Sequence, residues 1–163
     1  RTGDSLRRLG ESRSDMAVEI NSKRAIVSKE PYQLYMMFVD MRNFVQMLPE
    51  DKKEGIEADF DYLHATVQGF NNGVKVKDRV PYSKVVYEDD GAPVKLTMTM
   101  HFDAAREPYK TDFQICLDAE LNFMMKTILG SKLQEGLDKV VDAIVAVSEG
   151  RMPEGVDPSS LNL

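Results

Sequence analysis

Residues 109–121 alternate strictly between two kinds of side chain, and residues 123–147 then switch at once to a three–four spacing. Tyr109, Thr111, Phe113, Ile115, Leu117, Ala119 and Leu121 fall on one side of an extended chain. Lys110, Asp112, Gln114, Cys116, Asp118 and Glu120 fall on the other. A period of two with one wet face predicts a strand of an antiparallel sheet. Met125, Ile128, Leu129, Leu133, Leu137, Val140, Val141, Ile144 and Val147 predict an amphipathic helix of about seven turns. Asn122 is placed to cap its start, and Gly150 and Pro153 to end it. A helix of about 25 residues runs about 40 Å, and its apolar stripe needs an apolar surface of similar length. The dry face of a sheet supplies one, and a sheet that long must twist. The expected fold is therefore α+β, with a curved antiparallel sheet of about seven strands wrapped around one long C-terminal helix.

The rest of the chain fits this frame. Residues 18–27 predict a first strand, with Val18, Ile20, Ser22, Arg24 and Ile26 on one face. Ser28 is a candidate N-cap and Pro31 suits a first helical turn. Leu34, Tyr35, Phe38, Val39 and Met41 then follow a helical stripe, and a second short helix over 42–47 stops before Pro49. After a charged loop over 49–55, strands are expected over 56–60 and 63–67. Gly69-Phe70-Asn71-Asn72-Gly73 predicts a turn, because Asn and Gly tolerate positive φ. Strands over 74–80 and 84–87 are interrupted near Pro81, which lacks a ladder donor. Asp89-Asp90-Gly91 marks a hairpin. In the next strand Leu96, Met98, Met100 and Phe102 oppose Thr97, Thr99 and His101.

Bulk properties exclude several classes. The chain has 163 residues, 42% hydrophobic and 29% charged, which suits one folded domain. Its net charge of −6 disfavours a phosphate backbone as partner, and no basic patch interrupts it. No apolar run approaches the roughly 18 residues of a membrane helix. A single cysteine, Cys116, forms no internal disulfide and fits a reducing cytoplasm. Residues 1–15 form an Arg-, Ser- and Asp-rich leader, either an artificial extension or a native disordered segment, with Met16 a candidate start. Residues 16–150 form the domain and residues 151–163 a C-terminal tail. There are ten Met and no Trp, and methionine adapts readily to irregular interiors.

Several local runs resemble the START-like, or helix-grip, superfamily, nearest to its polyketide cyclase/dehydrase-like (SRPBCC) branch of small bacterial proteins. Ala119-Glu120-Leu121-Asn122-Phe123-Met124-Met125-Lys126, continuing to Lys132-Leu133-Gln134-Glu135-Gly136-Leu137-Asp138-Lys139, is similar to their strand-to-helix junction. Ser28-Lys29-Glu30-Pro31, followed by Val39-Asp40-Met41-Arg42-Asn43-Phe44, is similar to their first helix and its exit. The resemblance spans roughly residues 17–149. It implies a cavity between sheet and long helix for an apolar small molecule such as a lipid or polyketide. It also leaves open ring closure or dehydration of such a molecule, and service as a partner of another protein. No catalytic signature of the superfamily matches this chain residue by residue, so none is carried over.

The dry-face residues Met98, Met100, Phe102, Phe113, Ile115 and Leu117, with Met125, Ile128, Leu129 and Gly136 of the helix, are the candidate pocket lining, against the plainer reading that they are core. Gly136 is expected where the helix passes close to the sheet or a ligand. An enzyme would need an inward ionisable group, and His64, Tyr62 and Asp59 are the candidates. An inward His64 would serve as acid or base near neutral pH, and Asp59 and Asp61 could flank a cavity mouth. His101 is expected to face solvent. Two isolated histidines and one cysteine give no zinc spacing, so no metal and no cofactor is expected. Gly69-Phe70-Asn71-Asn72-Gly73 lacks the Lys-Ser/Thr of a phosphate loop. The expected partner is an apolar small molecule, with a homodimer or protein partner left open. A protein-interaction domain would show a filled core and an exposed apolar patch.

Overall fold

The Asn122 side chain accepts the amide hydrogen of Met125 at 2.8 Å and so caps the long helix where strand gives way to helix. The structure, a computed structural model, describes residues 17–46, 48, 50–67, 69–92 and 94–151. The expectations for the leader before residue 16, for Met16 and for the tail beyond residue 151 lie outside these residues. In chain order the elements are β1 (Ala17–Asn21), β2 (Ala25–Val27), α1 (Pro31–Phe38), α2 (Arg42–Gln46) and a 3₁₀ turn (Glu50–Lys52). Then follow β3 (Ile56–Ala58), β4 (Tyr62–Val67), β5 (Phe70–Val80), β6 (Lys84–Asp89), β7 (Leu96–Ala104), β8 (Thr111–Glu120) and α3 (Phe123–Ser148).

All strands pair antiparallel in one curved, unclosed sheet, in the order β1-β8-β7-β6-β5-β4-β3, with β2 also on β8. Alternation over β7 and β8 holds as expected. Met100, Phe102, Phe113, Ile115, Leu117 and Ala119 are buried, while Thr97, Thr99, Gln114 and Cys116 lie on the outer face. Tyr109 departs from the pattern. It stands in the β7–β8 loop at φ 67° and is exposed, and the strand begins at the fully buried Thr111.

The expected first strand is two strands. Asn21 pairs with Cys116 and Ala25 with Phe113, so three residues here oppose two on β8. This bulge reverses the facing pattern. Ile20 and Ser22 point inward, but beyond the bulge Val27 is buried while Arg24 and Ile26 are exposed. Ser22 holds the bulge, its amide donating to the Ile115 carbonyl at 2.8 Å and its hydroxyl accepting the Ile115 amide at 2.9 Å. Lys23 then reaches α3, its amide 2.8 Å from an Asp138 carboxylate oxygen and its ammonium 2.6 Å from Asp142.

Other boundaries moved for local reasons. The N-cap of α1 is Glu30, not Ser28, and the Gln33 side chain accepts the Glu30 amide. Gly69 at φ +79° makes the β4–β5 turn, and Phe70 already pairs with Val67. Asn71, Asn72 and Gly73 are therefore strand residues. Gly73 is needed for space: a Cβ there would lie 2.1 Å from the Asp90 carbonyl and 2.5 Å from the His64 ring. As expected, β5 ends at the Pro81 turn, and Gly91 and Gly150 take left-handed φ after β6 and α3.

The core lies where α1 crosses the sheet. The Phe38 ring stacks on Phe102 and Phe113, with centroids 6.1 and 6.2 Å away. Three side chains satisfy carbonyls at the end of α1. Asn43 donates to Met37, Tyr87 to Phe38 and Arg79 to Val39. Helix ends leave such carbonyls without intrahelical partners, so these bonds fix α1 on the sheet.

Candidate functional site

The inner face of the sheet divides along its length into a closed and a less closed part. In the closed part Met100, Phe102, Phe113 and Ile115 are fully covered by α1 and by Val141 and Ile144 of α3. These four expected lining residues are placed in packed core. In the other part Ile20, Leu117, Ala119 and Leu121 form a smaller cluster, edged by half-buried Val18, Leu96, Met98, Met125, Leu133 and Leu137. Met98 and Leu137 touch both clusters and mark the boundary.

Helix α3 shows the same gradient. Val141, Ile144 and Val147 are buried, whereas Met125, Leu129, Leu133 and Leu137, spaced four apart on the preceding turns, are half-buried. The expected stripe is thus correct in period and uneven in burial. Ile128 and Val140 are exposed. Gly136 is also exposed, and a Cβ there would meet nothing within 4 Å, so the expected close approach to the sheet does not occur. Gly130 likewise has open space around it.

Of the expected lining, Met98, Leu117, Met125 and Leu129 therefore lie in or beside the less covered part. Leu133 and Leu137, legible in the sequence as stripe residues but not among the expected lining, edge the same part. Between α1 and α3 a gap of about 10 Å³ among Leu34, Met37, Ile144 and Val147 is too small for a ligand. A polar cleft of about 220 Å³ lies where β6 passes to β7, lined by Glu88, Lys95, Thr97, Asp118 and Glu120 among others. Its charged walls are unsuited to an apolar ligand.

His64 faces away from the core. Its neighbours Leu63 and Val74 pack inward as a cross-strand pair, so the adjoining His64–Gly73 pair presents the His ring outward. There His64 Nε2 lies 2.7 Å from Asp90 Oδ2, and the ring stacks on Tyr62 at 4.8 Å. The nearby Glu57 charge raises the Tyr62 pKa. Asp61 pairs with Arg79 at 2.9 Å, and the Asp59 carboxylate accepts the Phe60 amide. His101 lies on the outer face as expected, though half-buried, and burial lowers its pKa. Burial raises that of Cys116, the opposite of what an activated thiolate requires. Tyr87 and Arg79 do project from the inner face, but the Tyr87 hydroxyl is committed to the Phe38 carbonyl and the Arg79 guanidinium to the Val39 and Phe60 carbonyls and the Asp61 carboxylate. Among the described residues no group of three His, Cys, Asp or Glu could hold a metal ion.

No protein-family model matches the chain, and no curated protein is similar to it in sequence. Solved structures are similar in shape. Norcoclaurine synthase from Thalictrum flavum, as a point mutant with a transition-state analogue, is 15% identical; the match covers 84% of this chain and 97% of that one, with a TM-score of 0.63. A START superfamily protein from Mycobacterium smegmatis is 17% identical over 79% of this chain and 96% of that one, with a TM-score of 0.53. The fold is the START-like helix grip. Identities this low establish the helix-grip fold and carry no residue roles. A second structure of norcoclaurine synthase, in complex with dopamine and hydroxybenzaldehyde, is 14% identical over 82% of this chain and 87% of that one, at a TM-score of 0.60. Among the described residues, no helix of this helix-grip chain is long and apolar enough to cross a membrane.

Proposed function

We propose that this helix-grip chain binds an apolar small molecule, lipid- or polyketide-like, between the inner face of the sheet and the first half of α3. The observation that carries the reading is the burial gradient along α3. Met125, Leu129, Leu133 and Leu137 form an apolar line that the described residues cover only in part, while they seal the inner stripe of the same helix from Val141 onward. An apolar ligand there would gain about 25 cal/mol for each Å² of apolar surface removed from water. Met98, Leu117, Met125 and Leu129 are its proposed contacts, joined by Leu133 and Leu137. Two neighbouring structures of this fold hold small molecules, in keeping with a ligand-binding role. The lone, unactivated Cys116 suits a reducing compartment such as the cytoplasm.

A cyclase- or dehydratase-type reaction is less well supported, because His64, its acid–base candidate, is turned outward onto Asp90. Binding without chemistry needs only the apolar wall. The chain has no tryptophan, so Leu133→Trp places a single reporter in that wall. Titration with a long-chain fatty acid as probe is expected to give a saturable shift in its emission. A flat titration, in a variant whose circular dichroism matches the parent, would sink the reading.

A further inference from the structure

Met125, Leu129, Leu133 and Leu137 follow one another on successive turns of α3, so the half-buried apolar line is about 18 Å long. Among the described residues it is closed at one end only. One turn beyond Leu137 stands Val141, which is fully buried. Just before Met125, by contrast, Phe123 is 84% exposed and Met124 69%. The sheet wall beside this line is Ile20, Leu117, Ala119 and Leu121.

Among the described residues, this stretch offers a ligand no hydrogen-bonding side chain. The wall and the line hold hydrocarbon and the thioethers of Met98 and Met125, which are weak acceptors. The buried hydroxyls of the core are committed elsewhere. Ser22 donates to the Lys23 carbonyl and accepts the Ile115 amide, and Thr111 donates to the Lys29 carbonyl. The backbone of β8 is paired along both edges, with β1 and β2 on one side and β7 on the other. Every buried side-chain nitrogen or oxygen among the described residues already has a partner. A ligand oxygen carried into this wall would lose its water and gain nothing, which lowers affinity by about tenfold or more.

We propose that the ligand is an unbranched hydrocarbon chain with a single polar end, seated with its methyl end toward Leu137 and Val141 and its polar end left in water beside Phe123 and Met124. This rests on the binding reading above and narrows it. Such a chain needs no polar partner along its length and can follow the line from turn to turn. A polyketide-like molecule fits less well, because its oxygens are spread around its rings and some of them must enter the wall.

Isothermal titration calorimetry of the full chain tests it with dodecanoic acid, its α-hydroxy and ω-hydroxy derivatives, and the polycyclic phenol emodin. The two hydroxy acids are isomers, so they differ only in which end carries the added hydroxyl. Dodecanoic acid is expected to bind saturably, and the α-hydroxy acid, whose hydroxyl stays beside the head, to bind about as well. The ω-hydroxy acid should bind about tenfold or more weakly, because its hydroxyl is carried to the closed end. Emodin should also bind more weakly than dodecanoic acid. An ω-hydroxy acid that binds as tightly as its isomer, or emodin binding more tightly than dodecanoic acid, would overturn this proposal and leave the binding reading standing. If none of the four probes binds, the binding reading itself falls and this proposal with it.

Discussion

The Tyr87 hydroxyl, fully buried in the middle of the sheet, donates to the Phe38 carbonyl at the end of α1 across 2.7 Å. This bond joins the two layers of the closed half of the core. Burial raises the Tyr87 pKa far above its ordinary value, so the group remains a neutral donor. Tyr87→Phe keeps the ring packing and leaves the Phe38 carbonyl without its donor. Such a loss costs about 1–3 kcal/mol. Urea denaturation should show a lower midpoint with an unchanged slope, because the surface exposed on unfolding stays the same.

Ser22 has a comparable place at the bulge. Ser22→Ala leaves the Ile115 amide with no acceptor from the bulge hydroxyl, and a loss of about 1–3 kcal/mol is expected in the same assay. Hydrogen exchange should then be faster along β1 and β2 than in β6 and β7. Uniform acceleration across the sheet would contradict a local role for the bulge.

Gly73 tests the packing of the outer face. A Cβ would collide with the Asp90 carbonyl and the His64 ring. Backbone cannot yield as a flexible side chain can, so Gly73→Ala is expected to cost at least about 2 kcal/mol. Gly136→Ala is the control. Its Cβ meets nothing within 4 Å, and alanine is a better helix former by about 1 kcal/mol, so thermal melting should rise for that variant.

Asp40 sets an acid-side dependence. The Arg42 guanidinium, bonded to its carboxylate, lowers the Asp40 pKa below the ordinary 3.8. A folded-state pKa below the unfolded one means that the unfolded chain binds the proton more readily. The stability this pair adds is therefore complete above pH 3.8 and is lost as pH falls through the lowered value. Asp40→Asn should flatten that part of the stability–pH curve while preserving the fold at neutral pH. A curve that keeps its acid slope would remove Asp40 from the account.

Much of this was legible in the sequence, for a physical reason. Residues 111–120 and 123–148 have one wet and one dry side, so their periods reveal both conformation and facing. Asn122 and Gly150 read correctly because cap chemistry is local. The bulge at Ser22 was not legible, since it depends on which β8 residue stands opposite. Gly73 looked like a turn residue, and its need for glycine comes from Asp90 and His64 on other strands. The candidate site was legible by face but not by depth. Met98 and Met100 share one side of β7, yet α1 and the second half of α3 cover Met100 and leave Met98 half-buried. Nothing in residue type separates the two.

The most direct test of ligand binding in the less covered half is native mass spectrometry of the purified chain, followed by denaturing extraction. The account predicts a stoichiometric adduct that is released on denaturation, or that forms on adding a long-chain fatty acid, and that weakens in Leu129→Asp. A bare chain mass that no apolar probe changes would contradict it.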